Sequence, residues 1–218
     1  MAGLLVSLPV LLLAALAVIE TAYWHMTRQV LNVALMEAAR AGSTGHGHPS
    51  AMQAAFVKAL GPLPTGKTGW RRIRYDSGVP AWRIDILSPP PEAYADFGVR
   101  GLPIKQGAAT TSRMIAIRND YQAEEHARRL QAGWHEGRGA ASGMTIFQAN
   151  VLRLRLSYQL PPLTSITRAL LRALAPAGGR DNLSAAAARA GNVLIVDGLA
   201  IEMQSHPAAW SRRKIEPG

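Results

Sequence analysis

Residues 2–42 read AGLLVSLPVLLLAALAVIETAYWHMTRQVLNVALMEAARAG, and they govern how the rest of the chain is interpreted. The first 18 of them, Ala2 to Ile19, carry no charge, and about 20 apolar residues let a helix cross the hydrocarbon core of a bilayer. Glu20, Tyr23 and Trp24 follow. Tyrosine and tryptophan are common at the membrane–water interface, so the span is expected to end there. The segment predicts a retained membrane-spanning helix rather than a cleaved signal peptide, because the apolar run is long and no basic residue precedes it.

Beyond the membrane edge, apolar residues recur at helical spacing as far as Gly42, a residue type that commonly follows a helix end. The resulting stripe consists of Val30, Leu31, Ala34, Leu35 and Ala38. Its small alanines let a second helix approach closely. Two alternatives remain open: the stripe packs on the chain's own soluble domain, or it packs against other subunits.

The composition is that of a folded protein with one ordinary domain and an N-terminal extension. The 218 residues carry a net charge of +10, with Lys+Arg of 24 against Asp+Glu of 14. This charge favours acidic partners such as lipid headgroups, nucleic acid or acidic proteins, although an arginine-rich proteome gives the same balance. Cysteine is absent, so neither disulfides nor thiolate chemistry is available to the chain.

The fold class predicted is α+β, with a long membrane-spanning helix leading into a small soluble domain that has a mainly antiparallel sheet. We divide the chain into an anchor and projecting helix at 1–42, a domain at 43–210 and a tail at 211–218. Further predictions are a capping box at 50–53, a hairpin of 70–76 with 82–87, helices at 119–132, 166–174 and 184–190, and strands at 151–160 and 198–205.

One motif formally matches a phosphate-binding loop: residues 61–68 read GPLPTGKT. Such a loop needs a strand before it and a helix after it, and backbone N–H groups that face the phosphates. The predicted order is the reverse, and Pro62 and Pro64 have no N–H to donate. We therefore expect no nucleotide binding.

No catalytic or metal site is predicted elsewhere in the sequence. Glu124, Glu125 and His126, like His135 and Glu136, lack the spacing of metal ligands. We expect no cofactor, no metal and no enzymatic activity. Arginines without interleaved aromatic residues give little support for nucleic-acid binding.

Residues 15–42, ALAVIETAYWHMTRQVLNVALMEAARAG, resemble the TadE-like pilus assembly proteins, which are pilin-like components of the tight-adherence (Flp) pilus system related to type II/IV secretion. Shorter pieces are also similar to members with a larger soluble domain. These pieces are PPPEAYADFG, MIAIRND, IFQANVLRLRLSYQLPP and IEMQSHP. The family's pattern has one acid early in the apolar run and another later. This chain has Leu8 at the early position, so only Glu20 is assigned a family role, that of the later acid.

The resemblance implies a non-enzymatic, single-pass protein of the bacterial inner membrane with its domain in the periplasm. The positive charges of Arg28 and Arg40, which follow the apolar run, would by themselves favour a cytoplasmic domain. Its implied partners are the lipid bilayer and other pilus subunits. We expect subunits to pack along the helix at Glu20 and the stripe. The main alternative is a membrane-anchored periplasmic module that binds DNA or another anionic polymer. An anchored hydrolase would need a convergent acid–histidine site that the sequence does not show.

Overall fold

The structure is a computed structural model that describes residues 2–106, 109–175 and 182–217. The helices within these ranges are α1 (Ala2–Thr44), α2 (Pro49–Ala59), α3 (Gly66–Ser77), α4 (Pro91–Phe97), α5 (Gln122–Gln131), α6 (Ile146–Ala149), α7 (Ser165–Ala173) and α8 (Asn182–Ala190). The strands are β1 (Trp82–Ser88), β2 (Gly98–Val99), β3 (Ile104–Gln106), β4 (Ala109–Thr111), β5 (Ala116–Ile117), β6 (Val151–Leu160), β7 (Val193–Glu202) and β8 (Lys214–Ile215).

Helix α1 is continuous from the apolar run into the domain. Its 43 residues correspond to a length of about 65 Å at 1.5 Å per residue. Large apolar side chains between Leu8 and Ile19 are exposed, and Glu20 is the first fully buried side chain of the helix among those described. Among the described residues, α1 is the one helix long and apolar enough to cross a membrane. The helix therefore has a free half and a half that packs on the domain.

An antiparallel sheet forms the centre of the domain and confirms the α+β prediction. Within the described residues its four strands have the order β7-β6-β1-β8. Strand β6 pairs along its whole length with β7, from Val151 opposite Glu202 to Leu160 opposite Val193. The strand predicted at 151–160 is confirmed, because alternating leucines and arginines specify which face is buried.

The main hydrophobic core lies between this sheet and the first two helices. The stripe of α1, Met52 and Phe56 of α2, and the apolar side chains of β1 and β6 belong to one buried cluster. Phe56 and Trp82 meet with ring centroids 4.7 Å apart, and Trp70 meets Trp82 at 5.9 Å. The projecting half of α1 is therefore a structural part of the domain.

The predicted hairpin is wrong, because residues 70–76 lie in helix α3. Trp70 and Ile73 are buried on one side of this helix, whereas Tyr75 is exposed. The spacing of Trp70 and Ile73 fits a helix, whereas that of Ile73 and Tyr75 fits a strand, and short apolar patterns do not separate the two. Asp85 consequently pairs with Arg83, with Nε and Oδ2 3.1 Å apart, and not with the arginines of a hairpin partner.

Two predicted helix ends also differ from the structure. The capping box at 50–53 is wrong: α2 begins at Pro49, and the Ser50 hydroxyl is hydrogen-bonded to Nδ1 of His48 at 2.7 Å. Gly42 does not end α1, which continues to Thr44. A Cβ at Gly42 would lie 2.6 Å from Sδ of Met52 and 2.8 Å from Cδ2 of Leu152, so this glycine permits close packing of α1.

The C-terminal elements are longer than the sequence pattern predicts. Strand β7 begins at Val193 rather than at residue 198. Its first residues form an unbroken apolar run without the alternation that marks a half-buried strand. Residues 211–218, interpreted as a tail, contain β8, in which Ile215 lies opposite Ile84 of β1.

The end of α1 far from the apolar run is joined to the segment after β7. The Ser43 hydroxyl donates to the carbonyl oxygen of Glu202 at 2.6 Å, and Nδ1 of His46 is 3.0 Å from the carbonyl oxygen of His206. The backbone N–H of Asn119 donates to Nδ1 of His206 at 3.0 Å, which requires that nitrogen to be unprotonated.

We predict that acid weakens this junction. Burial lowers the pKa of His206 below its usual value, as do His46 and Arg118, and Asp120 opposes them only in part. Its stabilising contribution is therefore complete above the unfolded-state pKa of about 6.5 and is lost as the pH falls through the lower folded-state pKa. The melting temperature should fall between pH 7.5 and pH 5, and His206→Gln should reduce that fall. An equal fall in melting temperature in the wild type and in His206→Gln would contradict the assignment of this pH dependence to His206.

Candidate functional site on the projecting helix

Glu20 is bound by the protein's own backbone. Glu20 is only 3% exposed. The backbone N–H of Leu163 donates to Oε2 at 3.2 Å, and that of Thr164 donates to Oε1 at 2.9 Å. Both donors lie immediately before α7, so the carboxyl group of α1 closes the N-terminal end of another helix of the same chain.

The N-terminus of α7 is completed by its own cap. Thr164 is the N-cap residue, and its hydroxyl oxygen accepts a hydrogen bond from the N–H of Thr167 at 3.1 Å. A helix N-terminus has unpaired N–H groups and a partial positive charge, both of which favour an acid beside it. We expected Glu20 to meet a polar or cationic group of a partner subunit. The structure supplies two N–H groups from 143 and 144 residues away, a contact that no local sequence signal indicates.

The stripe packs on the chain's own domain, which is the first of the two alternatives. Leu31, Ala34, Leu35 and Ala38 are buried, and Val30 is partly buried against the same core. These side chains contact α2 and the sheet rather than solvent. A role for them in packing against other subunits stays a prediction, and it would require a partner to reach or replace these internal contacts.

The opposite side of α1 is apolar in part and is open. Met26, Val33 and Met36 are exposed at a spacing of seven and three residues, which places them on one helical face. Glu37 and Arg40 flank them and form an ion pair with each other, with oxygen and nitrogen 3.2 Å apart. We did not single out this face from the sequence, although it is the part of the projecting helix that a second helix can reach.

A groove separates the membrane-proximal part of α1 from the start of β7. It encloses about 450 Å³ and is lined by Thr21, Trp24, His25 and Arg28 on the helix side and by residues 193–196 on the strand side. Arg28 spans one end through an ion pair with Asp197, with Nη2 and Oδ1 2.8 Å apart. Strand β7 is at the edge of the sheet.

The phosphate-loop motif begins after α2, and its last three residues, 66–68, are the first residues of α3. A helix does follow Gly66, contrary to the strand that we predicted, but a helix rather than a strand precedes the motif. The N–H groups of Gly61 and Leu63 are already bonded to the carbonyl oxygens of Lys58 and Leu60. Since Pro62 and Pro64 have no N–H, the part of the motif before α3 has few free donors for a phosphate.

We predict that the purified protein does not bind ATP and that Lys67→Ala leaves adherence unchanged. Calorimetric titration of ATP into both proteins is the measurement. Saturable binding at micromolar ATP in the wild type that disappears in Lys67→Ala would overturn this prediction.

Among the acids and imidazoles near α5, Glu125 is engaged in ion pairs. Glu125 pairs with Arg128 and Arg129, and the guanidinium of Arg129 lies over the rings of Phe97 and Trp134 at 4.5 and 4.1 Å. Burial raises the pKa of Glu125, but the arginine hydrogen bonds and charges outweigh it and hold the pKa below its usual value. Within the described ranges, no three His, Asp or Glu side chains are grouped so that they could hold a metal ion.

Ion pairs within the chain reduce the cationic surface offered to an anionic polymer. Arginines pair with acids at Arg28–Asp197, Arg40–Glu37, Arg83–Asp85, Arg118–Asp120, Arg128–Glu125, Arg129–Glu125 and Arg138–Glu136. The alternative of a polymer-binding module depended on arginines gathered on one face, and these pairs do not favour it.

The free half of α1, the Glu20 contact and the exposed outer face all lie in one segment. Residues 4–40 match the TadE-like protein family. The match confirms the resemblance seen in the sequence and associates the TadE-like segment with Tad pilus components and with a membrane. It covers the apolar run from residue 4, Glu20 and the stripe, and it ends at residue 40, before α2. No curated protein and no solved structure matches the chain.

Proposed function

We propose that this protein is a non-enzymatic, pilin-like component of tight-adherence pilus assembly. It is anchored in the bacterial inner membrane by the first half of α1, and its domain lies in the periplasm. The single observation that carries the proposal is the TadE-like match over residues 4–40, because that range coincides with the free and projecting parts of one continuous helix.

Helix packing is the mode of action that the contacts support. The inner side of α1 holds the domain rigidly to the helix, so a subunit bound to the helix is also positioned relative to the domain. The outer face, with Met26, Val33 and Met36, remains open to other subunits. Hydrophobic side chains at helical spacing are the usual contact between a helix and a partner helix.

Deletion of the gene tests the proposal in the source bacterium. We expect loss of surface pili and of adherence, and restoration of both by the wild-type gene. Complementation with Val33→Asp should restore the protein in the membrane but not adherence, because a charge is placed in the outer face. Unchanged pili and adherence after deletion would contradict the proposal.

Anchorage and orientation are tested separately. The full-length protein should stay in carbonate-washed membranes, and recovery of a soluble form that begins near Tyr23 would indicate cleavage instead. The chain has no native cysteine, so Tyr75→Cys, at a fully accessible position of the domain, provides a single labelling site. A membrane-impermeant maleimide that crosses only the outer membrane should label it in intact cells. Labelling only after lysis would place the domain in the cytoplasm.

A further inference from the structure

Helix α7 exposes an apolar face. Four large side chains follow one another at spacings of three, four and four residues along α7 and its flanks. Their exposures are 55% for Leu163, 58% for Ile166, 57% for Leu170 and 70% for Leu174. At 100° per residue Ile166, Leu170 and Leu174 lie within one quarter of the helix circumference, and Leu163 directly precedes the N-cap residue Thr164.

The side of α7 that faces the domain carries the partly buried residues Thr167, Arg168 and Leu171. Nε of Arg172 donates to the carbonyl oxygen of Ala190 at 3.1 Å. A Cβ at Gly191 would lie 2.8 Å from Cγ of both Arg168 and Arg172, which shows how closely the arginine stems cover the end of α8. A surface helix of a soluble domain normally has the opposite arrangement, with its apolar side inward. Among the described residues, the protein's own core does not cover the apolar face.

The location of α7 identifies the cover. Its N-terminal end is hydrogen-bonded to Glu20, the first residue after the uncharged run of α1. Leu163, the first member of the exposed face, is itself one of the two residues that donate to Glu20. The apolar face of α7 is thus adjacent to the point where the exposed apolar surface of α1 ends.

We infer that α7 is an interfacial helix that lies on the periplasmic surface of the bilayer, with Leu163, Ile166, Leu170 and Leu174 inserted at the boundary between headgroups and acyl chains. This inference rests on the anchorage in the proposed function. Amphipathic helices with apolar residues on one side and arginines on the other bind membrane surfaces in this way.

Two contacts would then fix the domain relative to the membrane. Helix α1 determines its distance from the bilayer, and α7 determines its rotation about the axis of α1. The groove between α1 and β7 and the outer face of α1 would be presented at a constant height and direction to neighbouring subunits.

Fluorescence quenching in proteoliposomes tests this inference with the full-length chain. Single cysteines replace Ile166, Leu170, Leu12 or Leu130 and carry an environment-sensitive fluorophore. Phosphatidylcholine and phosphatidylglycerol vesicles contain lipids with a spin-label quencher at either acyl carbon 5 or acyl carbon 12. Leu12 reports on the membrane span, and Leu130, an exposed leucine of α5, is the matched control for an apolar surface position.

The labels at 166 and 170 should be quenched severalfold more than the label at 130, and more strongly by the quencher at carbon 5 than by that at carbon 12. Quenching at 12 without quenching at 166 and 170 would overturn the interfacial helix and leave the anchorage intact. A blue-shifted but unquenched label at 170 would also overturn it, since a second copy or another protein would then cover the face. Absence of quenching at 12 would mean that the anchorage itself fails.

Discussion

Replacement of Glu20 by leucine is expected to loosen the N-terminal end of α7 while the protein stays in the membrane. The change removes the acceptor for two backbone N–H groups, and each buried donor left without a partner costs about 1–3 kcal/mol. The main core between α1, α2 and the sheet does not depend on this contact, so the domain should remain folded. Hydrogen exchange at residues 163–167 is the measurement, and it should become faster than in the wild type.

Glu20→Gln is the matched control. Its amide oxygen can still accept a hydrogen bond, so exchange in α7 should lie between that of the wild type and that of Glu20→Leu. Unchanged exchange in Glu20→Leu, combined with lower pilus output, would contradict the internal role. Glu20 would then act at a contact with another subunit, as the sequence alone suggested.

The second large effect is expected from Ala34→Trp. Ala34 is 0% exposed inside the core, and overfilling a packed core typically costs 1–3 kcal/mol and occasionally more. We expect Ala34→Trp to lower the free energy of unfolding by at least about 3 kcal/mol, because the sheet and α2 leave no room for an indole. Thermal unfolding of the detergent-solubilised protein should show a lower melting temperature, and adherence should fall because the domain is damaged.

Val33→Trp is the control on the neighbouring residue, which is 60% exposed on the outer face. It should change the free energy of unfolding by no more than about 0.5 kcal/mol. If the outer face meets other subunits, adherence should nevertheless fall. A stable Ala34→Trp protein, or a Val33→Trp protein with normal adherence, would contradict this division of α1 into an inner and an outer face.

The sequence predicts those elements in which a single periodic pattern specifies one buried side. Strand β6 is the clearest example, because its leucines and arginines alternate over ten residues. Helix α7 is found for the same reason, through its helical spacing. Helix α3 is misread because Ile73 and Tyr75 have the two-residue period of a strand, and the start of β7 is missed because its apolar residues do not alternate.

The candidate site depends on contacts between segments that are far apart in the chain. The stripe on α1 is visible in the sequence, but its partners in α2, β6 and β7 decide that it faces inward. The backbone donors to Glu20 have no side-chain signature at all. Apolar periodicity shows that a helix has a face, whereas only the fold shows whether that face is covered.

Cysteine crosslinking along α1 in native membranes tests the central claim, that the outer face of the projecting helix packs against other pilus subunits. Single cysteines at positions 26, 33 and 36 sample the outer face, and those at 31, 34 and 38 sample the inner one. A bifunctional thiol reagent with a second reactive group for neighbouring proteins should give crosslinks to other pilin-like subunits from 26, 33 and 36. Crosslinks to such subunits from 31, 34 and 38 instead, or crosslinks from all six positions only to the protein's own domain, would contradict the account.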